Sequence, residues 1–599
     1  MHMCCKFTAL PLFLALAASL SAAATPLDLH PSPQLSTSAL SANASAPLVT
    51  NHTTGVSYLG TSAHGVDEFQ NIPFGHAARF APPAAHVPAA HTTVDATGPG
   101  AACPQPRVPT PGIPLFSNVT RMAEDCLNLR IARPAGTRAG AALPVMVWIY
   151  GGGDFIGQIY DQSYTPAGLV LTALANEQPV IYVAVNYRVN IFGFASSDAL
   201  RDARSLNAGL RDQRLGIEWV RDNIAAFGGD PANITLFGES DGGTGVGLQL
   251  TAYGGTQGVA FRRAIMQSGS PAADQGVSGN VSTANTAAVA QSVNCTGADA
   301  LACLRALPME TLLKATIAWA YAVAPPFGFS TFFGVVDGDF IPEAPSVLVK
   351  TGQFARDVSV IVGWNADDSS FFTSPTISTD ADVAASLNQF PALKNSTIAR
   401  ILDMYPVAEF AGAVMPNDIV TAQYYRASRI LRDLTVTCVA VDLAFHVAQY
   451  AERGATARLY DLNQTALSTL YVADAMPYLG VSHFSDIPYI FDEVDFFPGS
   501  TAADQALARA MAGSWAAFAA NGDPAHVKAA NGTTLGEWPV AFGGGAKGDA
   551  PTEFVVNVIG GPAAGPDTVT AQNGTGSLAA EKLAVRCAYL NTLYDELQT

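Results

Sequence analysis

Apolar residues recur along this chain with two different periods. Residues 143–150 (LPVMVWIY) and 179–185 (PVIYVAV) are apolar at nearly every position. Runs without polar alternation are how strands covered on both faces look. The first ends in Gly151-Gly152-Gly153 and the second in Asn186-Tyr187-Arg188. Between residues 207 and 227 the period changes: Leu210, Leu215, Ile217, Trp219, Val220 and Ile224 stand at helical spacing. The turn Gly228-Gly229-Asp230-Pro231 follows, then a strand over 233–237, and shorter strands over 264–266 and 358–362. Strands alternating with helices predict an α/β protein, with a mostly parallel sheet and helices on both faces. The stretches 275–335 and 380–455 are helix-rich and are expected to cap the active end of the sheet. No internal repeat is present.

Composition narrows the picture. Of 599 residues, 49% are apolar and 13% charged, enough to bury a large core and too apolar for disorder. No linker or composition break interrupts the middle, which predicts one catalytic domain over 51–599 with long insertions. Lys and Arg total 31 against 49 Asp and Glu, a net charge of −18. Nothing basic is left over to neutralise phosphates, so a nucleic-acid partner is excluded.

The first residues carry an address. Lys6, the apolar run 7–20 and the small residues Ser21-Ala22-Ala23-Ala24 have the layout of a cleaved signal peptide over 1–24. The run is too short to span a bilayer comfortably, and no later anchor signal follows. Residues 25–50, rich in Ser, Ala, Pro and Thr, read as a flexible arm. The expectation is a secreted, extracellular protein without an integral membrane anchor. Cys4 and Cys5 leave with the signal. Six cysteines remain, an even number that predicts three disulfides in an oxidising compartment. Proximity favours Cys103–Cys126 and Cys295–Cys303, leaving Cys438–Cys587. No CxxC or CxxH spacing supports a metal site. Ten N-x-S/T sequons are present, at Asn43, Asn51, Asn118, Asn233, Asn280, Asn294, Asn395, Asn463, Asn531 and Asn573. Asn233 is the doubtful glycan acceptor among them, because it enters a buried strand.

The decisive chemistry lies at Gly238-Glu239-Ser240-Asp241-Gly242. This G-x-S-x-G sequence follows a strand and precedes a helical run. A serine there sits on a strained turn with its Oγ projecting from the sheet edge, near a helix N-terminus that favours developing negative charge. A serine alone is a poor nucleophile and needs a base, a group to orient the base, and donors for the oxyanion. Three histidines follow Ser240. His446 falls in a helical run and reads as an ordinary packed or surface residue, and His526 in a polar loop. His483 lies in a glycine-led loop running into apolar sequence, where an imidazole can reach the sheet edge, and is the expected base. The acid should follow a strand between them. Asp367 and Asp368 both qualify by spacing, and Asp337 or Asp339 could compete. Gly151-Gly152-Gly153 supplies oxyanion donors unobstructed by side chains, with the N–H of Asp241 as the third.

Taken together, these residues resemble the type-B carboxylesterase/lipase family, which includes cholinesterases and fungal extracellular lipases. The resemblance runs from about residue 50 to 595 through ordered motifs. They are Asn71-Ile-Pro-Phe with Arg79-Phe80 and Pro82-Pro83, Glu124-Asp125-Cys126-Leu127-Asn128-Leu129, Tyr150-Gly-Gly-Gly153, Asn186-Tyr-Arg188, Asn207 to Trp219, Gly228-Gly-Asp-Pro231 with Gly238-Glu-Ser240, Gln267-Ser-Gly269 and the His483 loop. It implies an α/β-hydrolase fold and a serine hydrolase needing no cofactor. Its D-E-G pattern aligns Asp368 with the family's glutamate, one methylene longer, and so selects Asp368 as the acid. Gly152, Gly153 and Asp241 take the oxyanion roles by the same alignment. Two departures stand out: Asp241 replaces the usual alanine, and Asp154 the usual aromatic. Arg79 and Glu124 match a buried ion pair that fastens the first disulfide loop, and Cys438 and Cys587 match the third disulfide of cholinesterase relatives. The Cys103–Cys126 loop lacks a tryptophan platform for quaternary ammonium and is short for a lipase flap. The expected substrate is therefore a small-molecule ester with a small or medium acyl group. The alternatives are a lipase for longer acylglycerol or sterol esters, an acyltransferase with an alcohol acceptor, and a silent adhesion or binding protein on the same fold. Oligomeric state is not legible.

Overall fold

A computed structural model describes residues 46–107, 118–415, 419–548, 550–571 and 576–599. The expected signal peptide, most of the arm, and the sequons at Asn43 and Asn573 lie outside the described residues. Leu48–Asn51, at the end of the segment read as an arm, is a strand paired antiparallel with Val56–Leu59.

The centre is an eleven-stranded sheet. In chain order its strands are β1 (Thr61–Ala63), β2 (Val66–Pro73), β3 (Asn128–Pro134), β4 (Leu143–Ile149), β5 (Ile181–Val185), β6 (Gly229–Glu239), β7 (Arg263–Gln267), β8 (Ser359–Asn365), β9 (Ala457–Leu462), β10 (Glu553–Ile559) and β11 (Gly565–Thr570). Across the sheet they run 11-10-9-8-7-6-4-5-3-2-1. From β5 to β10 all pairings are parallel, while β1–β3 and β11 are attached antiparallel. Val145–Ile149 and all of β5 are buried, as expected of strands with helices on both sides. Among those helices are α1 (Ala208–Asn223), α2 (Asp241–Thr251), α3 (Ala422–Arg432), α4 (Cys438–Tyr450) and α5 (Ala502–Asn521). No helix among the described residues is long and apolar enough to cross a membrane.

The strand order reverses between β4 and β5, and the carboxyl ends of β4, β6, β7 and β8 lead into the loops that build the site. The helix-rich insertions overhang this edge. Three disulfides form, Cys103–Cys126, Cys295–Cys303 and Cys438–Cys587. The last ties the start of α4 to the helix Leu583–Leu590. Arg79 pairs with Glu124 at 2.5 Å and donates to the carbonyls of Leu304 and Leu307. The glutamate is about one-third exposed, 32%, so the expected buried pair is only half-buried, because it lies where the first disulfide loop meets a surface helix.

Candidate active site

Ser240 sits between β6 and α2 with φ 59° and ψ −129°. A non-glycine residue held there stores about 1–3 kcal/mol of backbone strain. The flanking glycines are required by close approach. A Cβ on Gly238 would lie 2.5 Å from the Gly242 carbonyl, and one on Gly242 would lie 2.1 Å from the Ile149 carbonyl. The turn therefore presses against the end of β4 and leaves the serine side chain as the one that projects.

His483 reaches it from the loop before the short helix Ile487–Ile490, with Nε2 2.8 Å from Ser240 Oγ. Its Nδ1 is hydrogen-bonded to Asp368 Oδ1. The other oxygen of Asp368 accepts from the Ser268 hydroxyl at 2.7 Å and from the Asn365 N–H at 2.9 Å. The shorter acid thus still meets the imidazole. His483 and Asp368 are both buried, and Phe372 covers the ring at 5.0 Å between centroids.

Asp367 does something different. Its N–H donates to the Val481 carbonyl and its Oδ2 accepts from the Val481 N–H, each at 3.0 Å. Asn365 Nδ2 donates to Ser482 O at 3.1 Å and Ser370 Oγ to Leu479 O at 2.6 Å. The loop carrying the acid is stitched to the loop carrying the histidine. Arg432 holds it from below, donating to Ala366 O at 2.8 Å while its charge is met by Asp433 and Glu581. The remaining candidates lie elsewhere. Asp337 and Asp339 bind Arg211, His446 bonds the Asp442 carbonyl within α4, and His526 is exposed.

Burial pulls the His483 pKa down, but Glu239 and Asp368 pull it up by more, and the balance is up, to about 9. Glu239 stands 3.3 Å from Nε2. Burial pushes its own pKa well above the carboxylate range.

Gly152 and Gly153 follow β4 at the same edge, but Gly153 N–H is not open. It donates to the Asp241 Oδ2 carboxyl oxygen, which also lies 3.3 Å from Ser240 Oγ. Asp154 and Asp274 crowd the same corner. Burial, and then Asp241 and Asp274, push Asp154 well up, and burial with Asp241 pushes Asp274 up to about 8. A cavity of about 390 Å³ opens above Ser240 and is walled by Phe327, Phe329 and Phe372, with Thr244, Gln275 and Gln389 as polar lining. Phe327 stacks on Phe329 at 5.3 Å and on Phe371 at 5.0 Å. Sequence reasoning missed the bond from Ser268 to Asp368, because Ser268 stood inside a recognised motif without a role. The Asp241 carboxyl was visible as a departure from alanine able to meet nearby polar groups, and it meets Gly153 N–H.

Comparisons with known proteins agree over most of the chain. Residues 51–547 match the carboxylesterase family. An inactive carboxylesterase-like protein, VdtD of Byssochlamys spectabilis, is 41% identical, covering 92% of this chain and 95% of its own. A secreted lipase of Arthroderma benhamiae is 38% identical over the same shares. Among solved structures, EstA of Aspergillus niger shares the fold, with a TM-score of 0.73 at 24% identity, over 92% of this chain and 99% of that one. A thermophilic pNB esterase superposes with a TM-score of 0.70 at 25% identity, over 90% and 100%.

Proposed function

The chain belongs to the carboxylesterase family, and from that premise we propose that it hydrolyses carboxylic esters through an acyl-enzyme on Ser240. The observation that carries this reading is the unbroken line from Ser240 Oγ to His483 Nε2 at 2.8 Å and from His483 Nδ1 to Asp368. His483 takes the Ser240 proton as the hydroxyl attacks the ester carbonyl, and Asp368 holds the imidazole in the tautomer that can accept it. The alcohol leaves with that proton, and water activated by His483 then releases the acid. Gly152, Gly153 and the N–H of Asp241 are the oxyanion donors of this proposal. The phenylalanine wall and the modest cavity favour small or medium apolar acyl groups, with longer acylglycerols second. Three disulfides and the secreted lipases among its relatives support export from the cell.

A second reading has its own support. A relative is described as inactive, and here a carboxyl group lies against an oxyanion donor. A silent binding protein on this fold would share both features. A panel of p-nitrophenyl esters of increasing acyl length separates the two, run beside Ser240→Ala. Hydrolysis that falls to background in the variant is the expected result. Residual activity near the native level would remove Ser240 from its role.

A further inference from the structure

In an ester hydrolase of this type the oxyanion hole must be free when the substrate arrives, because its donors are aimed at the carbonyl oxygen. In this chain it is filled from within. Asp241 Oδ2 accepts from Gly153 N–H and lies 3.3 Å from Ser240 Oγ. One of the three proposed oxyanion donors is therefore engaged by a carboxyl group at the corner where the substrate's oxygen would rest. We infer that the Asp241 side chain is an internal occupant of the oxyanion hole, and that an ester turns over only by displacing it. The inference rests on the hydrolase reading above and deepens it.

The occupant is well held. It shares its corner with two other acids, Asp154 and Asp274, whose pKa values burial raises. Burial raises the Asp241 pKa as well, opposed by the Gly153 N–H and by the ring of His483. An alanine at this position would keep the main-chain donor and remove only the blocking group. Because the loss of a single oxyanion donor lowers turnover by about 10²–10³, freeing Gly153 N–H should have a large effect.

The experiment compares the native protein with Asp241→Ala and Asp241→Asn in two assays. One is kcat/KM on p-nitrophenyl butyrate. The other is the affinity of an aryl trifluoromethyl ketone, whose carbonyl carbon bonds to Ser240 Oγ while the serine proton passes to His483. The former carbonyl oxygen then becomes an oxyanion in the hole. Asp241→Ala is expected to raise kcat/KM at least tenfold and to tighten the ketone in parallel. Asp241→Asn, isosteric and uncharged, should fall between. A fluorophosphonate that labels Ser240 in all three confirms that each is folded and armed. An active native protein with an Asp241→Ala variant no better than it overturns the inference and leaves the hydrolase reading standing. A silent native protein with an active Asp241→Ala supports both. Silence and lack of labelling in all three overturn both.

Discussion

His483 decides how this site responds to pH. Its base form exists only above its pKa, and that pKa is raised, so kcat/KM should climb through the weakly alkaline range before levelling. Glu239, and then Asp368 with its hydrogen bond to Nδ1, pull that pKa up. Asp368→Asn should move the midpoint down and lower the plateau by about 10²–10⁴, the cost of losing the acid that orients the imidazole. Asp367→Asn should leave the midpoint in place and reduce kcat less than tenfold, since an amide oxygen can still accept from the Val481 N–H. A pH–rate profile of both variants checks this pair of outcomes, and equal losses would contradict it. Spacing along the chain could not choose between these neighbours, because adjacent residues on one turn have the same local sequence. What separates them is a partner more than a hundred residues away, His483 for one and Val481 for the other.

Elements built from uninterrupted apolar runs were legible, and elements whose burial depends on ion pairing were not. The runs at 143–150 and 179–185 are β4 and β5, and the helical spacing from 207 is α1 with a short 3₁₀ extension, Ile224–Phe227. By contrast β3 (NLRIARP) is buried at every position yet escaped the hydrophobic pattern. Its two arginines are neutralised on β2, Arg130 by Glu68 and Arg133 by Asp67. The strand expected over 233–237 begins at Gly229, which pairs with Leu143 across an irregularity before Ile234. At this scale the turn around Ser240 is the sensitive part. Gly242→Ala puts a methyl into the β4 carbonyls and should lower stability by about 1–3 kcal/mol, with loss of fluorophosphonate labelling. Replacing Cys438 and Cys587 together by alanine releases a loop of 149 residues and should remove about 2–5 kcal/mol, read as a fall in Tm.

For the molecule as a whole, burial raises the pKa of several carboxyl groups in the folded state. Asp274 is pushed up to about 8, Glu493 and Asp461 to about 7, and Asp486 to about 6. The unfolded chain releases those protons near pH 4. Between about pH 4 and 8 the folded state therefore binds more protons than the unfolded one, and stability falls as pH rises. The net charge of −18 acts in the same direction. Glu409, Asp504 and Glu581, whose pKa values are lowered, oppose further gain in stronger acid. Thermal unfolding should show Tm highest in mildly acidic buffer and falling towards pH 8; a maximum above pH 8 would contradict this. The support beneath the acid loop has a consequence in time. Arg432 holds that loop through Ala366 and needs Glu581 for its charge, while the disulfide beside it closes only with Cys587. During synthesis, serine, acid and histidine all emerge well before these partners. The bracing of the acid loop therefore waits on Glu581 and Cys587, which follow His483 in the chain.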